Sequence, residues 1–278
     1  MACGKFVPTA YALLPRKTGA IYDKVVHALV DYVGDVNHVE KFTCDFERGM
    51  HNAVEKHLPN AVVSVCYFHF SQAIFCKIGE HGCTPVYNNV AEFRELVSHI
   101  YGLAFVSRDN IVEVWNTFIV PEAKSKAKEH WTDENDPSNG YSGEVENFLK
   151  YVEKTWVGEQ LRRGQRAPFY SHEIWNKWDS VTAEDTDLTN NGNEAYNSSW
   201  APGVPKSASV WTVMDCFKKE ESLARVTYRE AVRGVKQAHN HSRDQKQMNK
   251  IRELSAVCKS FGTMTTKMYL EMVTGIMN

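Results

Sequence analysis

The chain has 278 residues, of which 43% are hydrophobic and 24% charged, and its formal net charge at pH 7 is −2. Such values are typical of a globular protein with one large domain or two, and they give no overall charge argument for nucleic-acid binding. Apolar runs fall short of the roughly 18 residues that a membrane span needs, and no secretory signal pattern opens the chain, so we expect neither a membrane protein nor a secreted one. The seven cysteines are irregularly spaced, which favours reduced thiols and a nuclear or cytoplasmic location.

The first part of the chain alternates between strand and helix patterns. Apolar and β-branched residues predict strands over residues 6–14, 39–44 and 61–67. Helical spacing of apolar residues predicts helices over residues 18–34, about 46–58 and 68–79. The order β-α-β-α-β-α indicates an α/β sheet covered by helices.

Three parts are predicted from the change of pattern along the chain. Residues 1–88 are the α/β part, residues 89–185 are mostly helical, and residues 186–278 combine the segment around Glu194 with a helical, basic carboxyl-terminal part. The basic character is local, since residues 216–259 contain eleven Lys and Arg against five Asp and Glu. A nucleic-acid footprint and a solvated helical face explain this excess equally well.

Two groups of basic residues are candidates for nucleic-acid contacts. One is a small cluster in a predicted loop, and the other lies within the basic stretch 216–259. They are Arg162, Arg163 and Arg166 in the loop, and Lys236, Arg243 and Lys246 in the stretch. Clustered Lys and Arg attract phosphate, which is why these positions are the ones to test.

Two acids far apart in the sequence form the candidate catalytic pair. Asp45 follows a predicted strand, and Glu194 lies in the first turn of a predicted helix. Carboxylates at such positions can converge beside a sheet and hold two Mg²⁺ ions for phosphoryl transfer, with the helical part projecting between them as an insertion. Helix chemistry explains the same residues, because Asp is a favoured N-cap and Glu in a first turn suits the helix dipole. From the residues alone, both interpretations stay open.

Cys66 and His69 form a C-x-x-H pair after the third predicted strand, and the pair admits three interpretations. Thiolate and imidazole are zinc ligands, but a structural site needs four ligands and no second pair has comparable spacing, so zinc is not expected. Nucleophilic Cys–His–Asp catalysis would need an oxyanion loop, which no motif indicates. The simplest interpretation is a buried Cys66 at a strand end with a hydrogen-bonded His69.

Five segments, in order, resemble the transposase domain of Mutator-like elements, the MULE family. They are residues 11–22 (YALLPRKTGAIY), 44–47 (CDFE), 66–70 (CYFHF), 103–106 (LAFV) and 189–194 (TNNGNE). The first is similar to the opening of that domain, the second to its second-acid motif and the third to its C-x-x-H signature. The fourth resembles a short apolar motif of the insertion, and the fifth resembles the final-acid motif.

The resemblance implies a fold, an activity and a set of site residues. The fold is a ribonuclease H-like α/β sheet domain, its first strands missing, with a helical insertion before the last acid. The activity is DNA strand cleavage and transfer by two metal ions, Mg²⁺ or Mn²⁺, held by Asp45 as the second acid and Glu194 as the third. Cys66 and His69 would support the site. The implied partner is DNA at transposon ends, and a homo-oligomer is compatible with this activity.

One departure from the family pattern concerns the first acid. It is expected on a strand upstream of residues 11–22, whereas this chain has no acid before Asp23. We therefore expect an amino-terminally truncated transposase domain that is inactive as it stands. The alternative is a domesticated, non-catalytic module that binds nucleic acid or another protein, and a product without selected activity is a third hypothesis.

Overall fold

The protein is mixed α/β and mostly helical in the residues that the structure, a computed structural model, describes. These are residues 8–130, 142–182, 207–233, 243–261 and 265–277. They fall into two compact units, the first with residues 8–62 and 207–233 and the second with the remainder. The predicted α/β class is therefore confirmed, whereas a ribonuclease H-like arrangement stays a prediction.

The elements of the described residues follow in chain order. The strands are β1 (Lys41–Cys44), β2 (Val62–Val65), β3 (Glu159–Gln160) and β4 (Gln165–Arg166). The first seven helices are α1 (Gly19–Val33), α2 (Arg48–His57), α3 (Tyr67–Glu80), α4 (Thr84–Asn89), α5 (Ala91–Gly102), α6 (Ile111–Val114) and α7 (Val120–His130). The others are α8 (Ser142–Val152), α9 (His172–Trp175), α10 (Trp178–Thr182), α11 (Val210–Val232), α12 (Arg243–Phe261) and α13 (Thr266–Met277).

Irregular helical turns complete the second unit. Leu103–Phe105 and Arg108–Asn110 are 3₁₀ turns between α5 and α6. Trp115–Ile119 is a π-helical turn that joins α6 to α7, and Glu153–Val157 is a second one that extends α8. Helices and helical turns therefore predominate over residues 91–130 and 142–157, and the short strands β3 and β4 follow.

In the first unit, α1 and α2 pack against each other, and they precede and follow β1 in the chain. Tyr22 and Val26 are the buried residues of α1 and lie one turn apart, as the predicted apolar stripe requires. The helix ends before Gly34, whose φ of +83° is one that glycine adopts without strain. The predicted elements at residues 18–34, 39–44 and 46–58 are each observed within about two residues, the usual uncertainty of such boundaries.

The predicted strand over residues 6–14 is not observed in its described part, residues 8–14. Prolines at positions 8 and 15 lack the backbone N–H that a sheet ladder uses. A strand also needs a neighbour to pair with, which residue type alone does not provide. Tyr11 instead stacks on Phe217 of α11, with ring centroids 4.9 Å apart.

Gly49, in the first turn of α2, sets how closely the two helices approach. A Cβ added at Gly49 would lie 3.0 Å from the Cα of Gly19 and 3.1 Å from Cδ2 of Tyr22. We therefore expect Gly49→Ala to lower the free energy of unfolding by about 1–3 kcal/mol more than Gly19→Ala does, because overpacking a tight contact costs that amount. Urea unfolding followed by circular dichroism measures the difference.

Gly19→Ala is the matched control for this prediction. It also adds a methyl group in a first helical turn, but its Cβ would meet the Cα of Gly49 at 3.8 Å, an ordinary contact distance. Equal unfolding free energies for the two variants would contradict the close approach of α1 and α2.

Strand β2 leads into the core of the second unit. The division between the units falls within β2, after Val62. Residues 63–65 are buried, as predicted for this strand. Helix α3 buries Phe70, Ile74 and Ile78 along one face. Phe70 stacks on Trp175 with ring centroids 4.6 Å apart, and Trp156 meets both rings edge-on.

The predicted loop around residues 162–166 is an antiparallel hairpin. Glu159 pairs with Arg166 and Gln160 with Gln165, which leaves residues 161–164 as the turn. Gly164 occupies the turn with φ +90°, a conformation in which other residues are strained.

The predicted division of the chain after residues 88 and 185 stays a prediction. The first boundary falls inside α4, and the second lies outside the described residues. In the described part of the chain, none of the helices combines the length and apolarity that crossing a membrane requires.

Candidate functional site

Asp45 is exposed and lies directly after β1, as the sequence predicts. Its backbone carbonyl accepts a hydrogen bond from Nε2 of the buried His51, at 2.7 Å. This bond ties the turn after β1 to α2 and so fixes the backbone that carries the carboxylate. The N-cap position of α2 is held by Glu47, so the explanation of Asp45 as an N-cap is wrong.

Glu47 joins the first two motif segments in space. Lys17 donates a hydrogen bond from Nζ to Glu47 Oε1 at 2.6 Å, and the hydroxyl of Tyr22 donates to Oε2. The bond to Glu47, together with its charge, raises the pKa of Lys17, and Asp45 adds to this effect. Lys17 and Tyr22 belong to residues 11–22, whose role the sequence did not reveal. Of the two acids in the CDFE motif, Glu47 is therefore structural, and Asp45 is the one presented to solvent.

Cys44 is not activated as a nucleophile at neutral pH. Burial, with the adjacent Asp45 charge adding to it, raises the pKa of Cys44 to about 12. The protonated thiol is a weak nucleophile, whereas the thiolate is the reactive form.

The donor chemistry of the site fits a hard divalent cation. A carboxylate oxygen is the ligand type that Mg²⁺ and Mn²⁺ take, and the exposed Asp45 provides one. Within the described ranges, no cluster of three or more His, Cys, Asp or Glu side chains is placed to hold a metal. Glu194, the predicted second ligand, lies outside those ranges.

The C-x-x-H pair lies at the junction of β2 and α3. Cys66 is buried and occupies the N-cap position of α3, so its predicted location at a strand end is confirmed. His69 follows in the first turn of α3, half-buried, with its ring edge-on to Phe68 at 5.9 Å. Support of the catalytic site by these two residues stays a prediction.

Asn176 and Lys177 connect residues 103–106 to β2 and were not singled out from the sequence. The buried Lys177 donates from Nζ to Ser64 Oγ in β2 at 2.7 Å, and its backbone N–H donates to the carbonyl of Ala104 at 2.6 Å. The side-chain amide of Asn176 donates to the carbonyl of Val106 at 2.8 Å. Residues 103–106 are thereby tied to β2. The available sequence signal was a polar pair enclosed between two tryptophans.

The candidate nucleic-acid residues differ in their surroundings. Arg162 and Arg163 are exposed in the hairpin turn, whereas Arg166 is paired with Glu159 at 2.5 Å. Lys246 is exposed on α12. Lys236 and the side chain of Arg243 lie outside the described residues.

Part of the basic stretch 216–259 is neutralised within its own helix. On α11, Arg225 pairs with Glu221 at 2.6 Å and Lys218 pairs with Asp215 at 3.4 Å, one turn apart in each case. Such pairs are typical of a solvated helical face. Of the two explanations for the basic excess, these ion pairs favour the solvated face for this part of α11.

The comparisons with known proteins address the amino-terminal part. The family model of the MULE transposase domain matches residues 2–73. No match was found among curated proteins or among solved structures. The matched residues contain the first three motif segments, with Asp45, Cys66 and His69 among them. Over residues 2–73, the resemblance to the MULE transposase domain that the ordered motifs predicted is confirmed.

Proposed function

We propose that this protein cleaves and joins DNA strands as a transposase of the MULE type, with Asp45 and Glu194 holding Mg²⁺ or Mn²⁺. The observation that carries the proposal is the family match over residues 2–73, within which Asp45 is exposed on a turn that its neighbours fix. The family supports a transposase-like function and DNA as the partner in general. DNA as substrate favours the nuclear location, and a homo-oligomer would serve to bring two DNA ends together.

Each residue of the proposed site would have a separate role. Asp45 and Glu194 would bind the divalent ions through their carboxylates. Such ions activate the attacking hydroxyl group or water and offset charge on the scissile phosphate. Glu47, held by Lys17 and Tyr22, keeps the turn after β1 in place. Cys66 and His69 would support the site, as the family resemblance implies.

A cleavage assay on supercoiled plasmid tests this function. Purified protein is incubated with Mg²⁺, Mn²⁺ or Ca²⁺, or with EDTA, and the nicked, linear and joined products are separated on gels. Products with Mg²⁺ or Mn²⁺ and none with EDTA would support the proposal, since the ions supply the catalytic charge, and would overturn the inactivity expected from the sequence. DNA binding without cleavage in any metal would favour the alternative below, in which the chain is incomplete as a catalyst.

The alternative function is that of a non-catalytic DNA-binding module. The hairpin favours it, because Arg162 and Arg163 are exposed at its turn. Neither arginine forms a hydrogen bond or ion pair with any residue in the described part of the chain. Exposed arginines in a turn, without partners in the described part of the chain, are suited to phosphate contacts.

The double variant Arg162→Ala/Arg163→Ala is expected to weaken DNA binding and its salt dependence together. Each lost phosphate contact reduces the slope of log K against log salt by about 0.9, so the double variant should lower it by up to about 2. Fluorescence anisotropy with a labelled duplex at several salt concentrations measures the slope. Replacing two exposed lysines elsewhere, Lys24→Ala/Lys150→Ala, is the charge-matched control. An equal change in both double variants would show that only net charge matters.

A further inference from the structure

An aromatic pocket lies on the solvent-facing side of α3. Phe68, Gln72 and Phe75 follow at i, i+4 and i+7 and so share one face of the helix. The opposite face buries Phe70, Ile74 and Ile78. With Ser71 and with Tyr101 of α5, the exposed face lines a cavity of about 310 Å³. This is close to the lower limit, roughly 300 Å³, of typical ligand sites.

The two phenylalanine rings are exposed although both are large and apolar. Phe68 is 46% exposed and Phe75 is 51% exposed. Phe75 is held by an edge contact with Tyr87 at 5.5 Å, which restricts its ring without covering it. Fixed, accessible ring faces are what a planar ligand needs for stacking, and holding them fixed lowers the entropy cost of binding.

Gln72 gives the pocket a polar group that can recognise a hydrogen-bonding edge. Its carboxamide is exposed and makes no hydrogen bond with the described residues. The Ser71 hydroxyl is already bonded to the carbonyl of Phe68 at 2.9 Å. Among the residues that the structure describes, none with a charged side chain lines the cavity. The lining therefore suits a planar, uncharged group that both donates and accepts hydrogen bonds.

The position of the pocket along α3 adds charge complementarity. Phe68, Ser71 and Gln72 lie in the first two turns of this fourteen-residue helix, and its first turn contains no acid. A helix amino terminus carries a partial positive charge that favours anions such as phosphate. A planar ligand flanked by phosphates would therefore be stabilised here, whereas the first turn of α3 offers a basic peptide no acid.

We propose that this pocket binds an unstacked base of single-stranded DNA, with the base between Phe68 and Phe75 and its edge on Gln72. The proposal rests on the proposed function only for the choice of DNA as the ligand. Stacking of bases on aromatic side chains tolerates any base sequence, so we expect binding without strong sequence preference. The pocket would hold a DNA strand that has separated from its complement, next to the C-x-x-H segment.

The test is the affinity of the full chain for labelled dT20 and for a 20-base-pair duplex, by anisotropy. Phe68→Ala and Phe75→Ala should each weaken dT20 binding about 5- to 100-fold, since stacking on one base contributes that much. The salt slope should stay unchanged, because no phosphate contact is removed. Phe75→Tyr should keep the wild-type affinity, and Gln72→Ala should weaken binding less than either phenylalanine variant. Thermal unfolding of each variant verifies that the chain is folded.

Tyr32→Ala is the control, because Tyr32 is 89% exposed and lies on α1, outside the pocket. If the phenylalanine variants bind dT20 as the wild type does, the pocket is not a base site. If those variants change their oligomeric state but keep their affinity for dT20, the proposed base site is also overturned. The pocket would then be a contact surface for a second protein chain. Failure of the wild type to bind either DNA would instead reject DNA as the partner and the proposed function with it.

Discussion

Asp45→Asn and Glu194→Gln are each expected to lower the rate of metal-dependent DNA cleavage about a thousandfold. Each substitution removes the negative charge of one metal-binding carboxylate. A bound metal ion lowers the reaction barrier by several kcal/mol, and about 1.4 kcal/mol of barrier corresponds to a tenfold change in rate. The amides keep the size of the side chains, so the fold should be unaffected. Initial rates of plasmid nicking in Mn²⁺ measure the effect, and the loss should appear in kcat.

Asp109→Asn is the control for this pair. Asp109 is exposed on the 3₁₀ turn before α6 and has no role in the proposed site, so its rate should match the wild type. DNA binding in Ca²⁺ should be the same for all three variants. Full activity of Asp45→Asn would show that the CDFE motif does not provide the acid. Full activity of Glu194→Gln alone would place the third acid elsewhere.

Trp175→Ala is expected to lower the free energy of unfolding of the second unit by about 3–5 kcal/mol, the usual cost of removing a buried tryptophan. The ring is fully buried and lies parallel to that of Phe70, with centroids 4.6 Å apart. Trp156 meets the same pair edge-on, so the deletion leaves a cavity bordered by two rigid rings that cannot close it. Urea denaturation monitored by fluorescence and by circular dichroism gives the value.

Phe169→Ala provides the comparison for an exposed aromatic ring of the same unit. Phe169 is 60% exposed, so its removal should cost less than about 1 kcal/mol, as for most surface positions. A loss of less than 1 kcal/mol in Trp175→Ala would contradict the central place of this ring in the core.

The elements between residues 19 and 80 were predictable because local pattern determines them. The apolar stripe of α1, Gly34 after it, and the β-branched run of β2 each act within a few residues. The strand over residues 6–14 was wrongly predicted because pairing depends on a distant partner, and Tyr11 packs on Phe217 instead. The sequence around Arg162 and Arg163 indicated a loop, whereas the structure has a hairpin there. Its strands have two residues each, which is too short for an alternation of apolar and polar residues to be recognised.

The position of Asp45 directly after β1 was predictable, whereas the contacts around it were not. Asp45 follows from a strand pattern that ends in an acid. The bond from Lys17 to Glu47 spans 30 positions, and that from Lys177 to Ser64 spans 113, so only the folded chain brings these partners together. Glu194 lies outside the described residues, and its convergence with Asp45 is therefore a proposal that requires a direct test.

Iron-mediated cleavage of the chain tests that convergence most directly. Fe²⁺ takes the place of Mg²⁺ at carboxylate sites, and with ascorbate and peroxide it produces radicals that cut the backbone close to the ion. We predict cuts near residue 45 and near residue 194 that appear together, are suppressed by excess Mg²⁺ and are lost in Asp45→Asn. Cuts at one of the two positions alone, or cuts at both that persist in Asp45→Asn, would contradict a shared metal site.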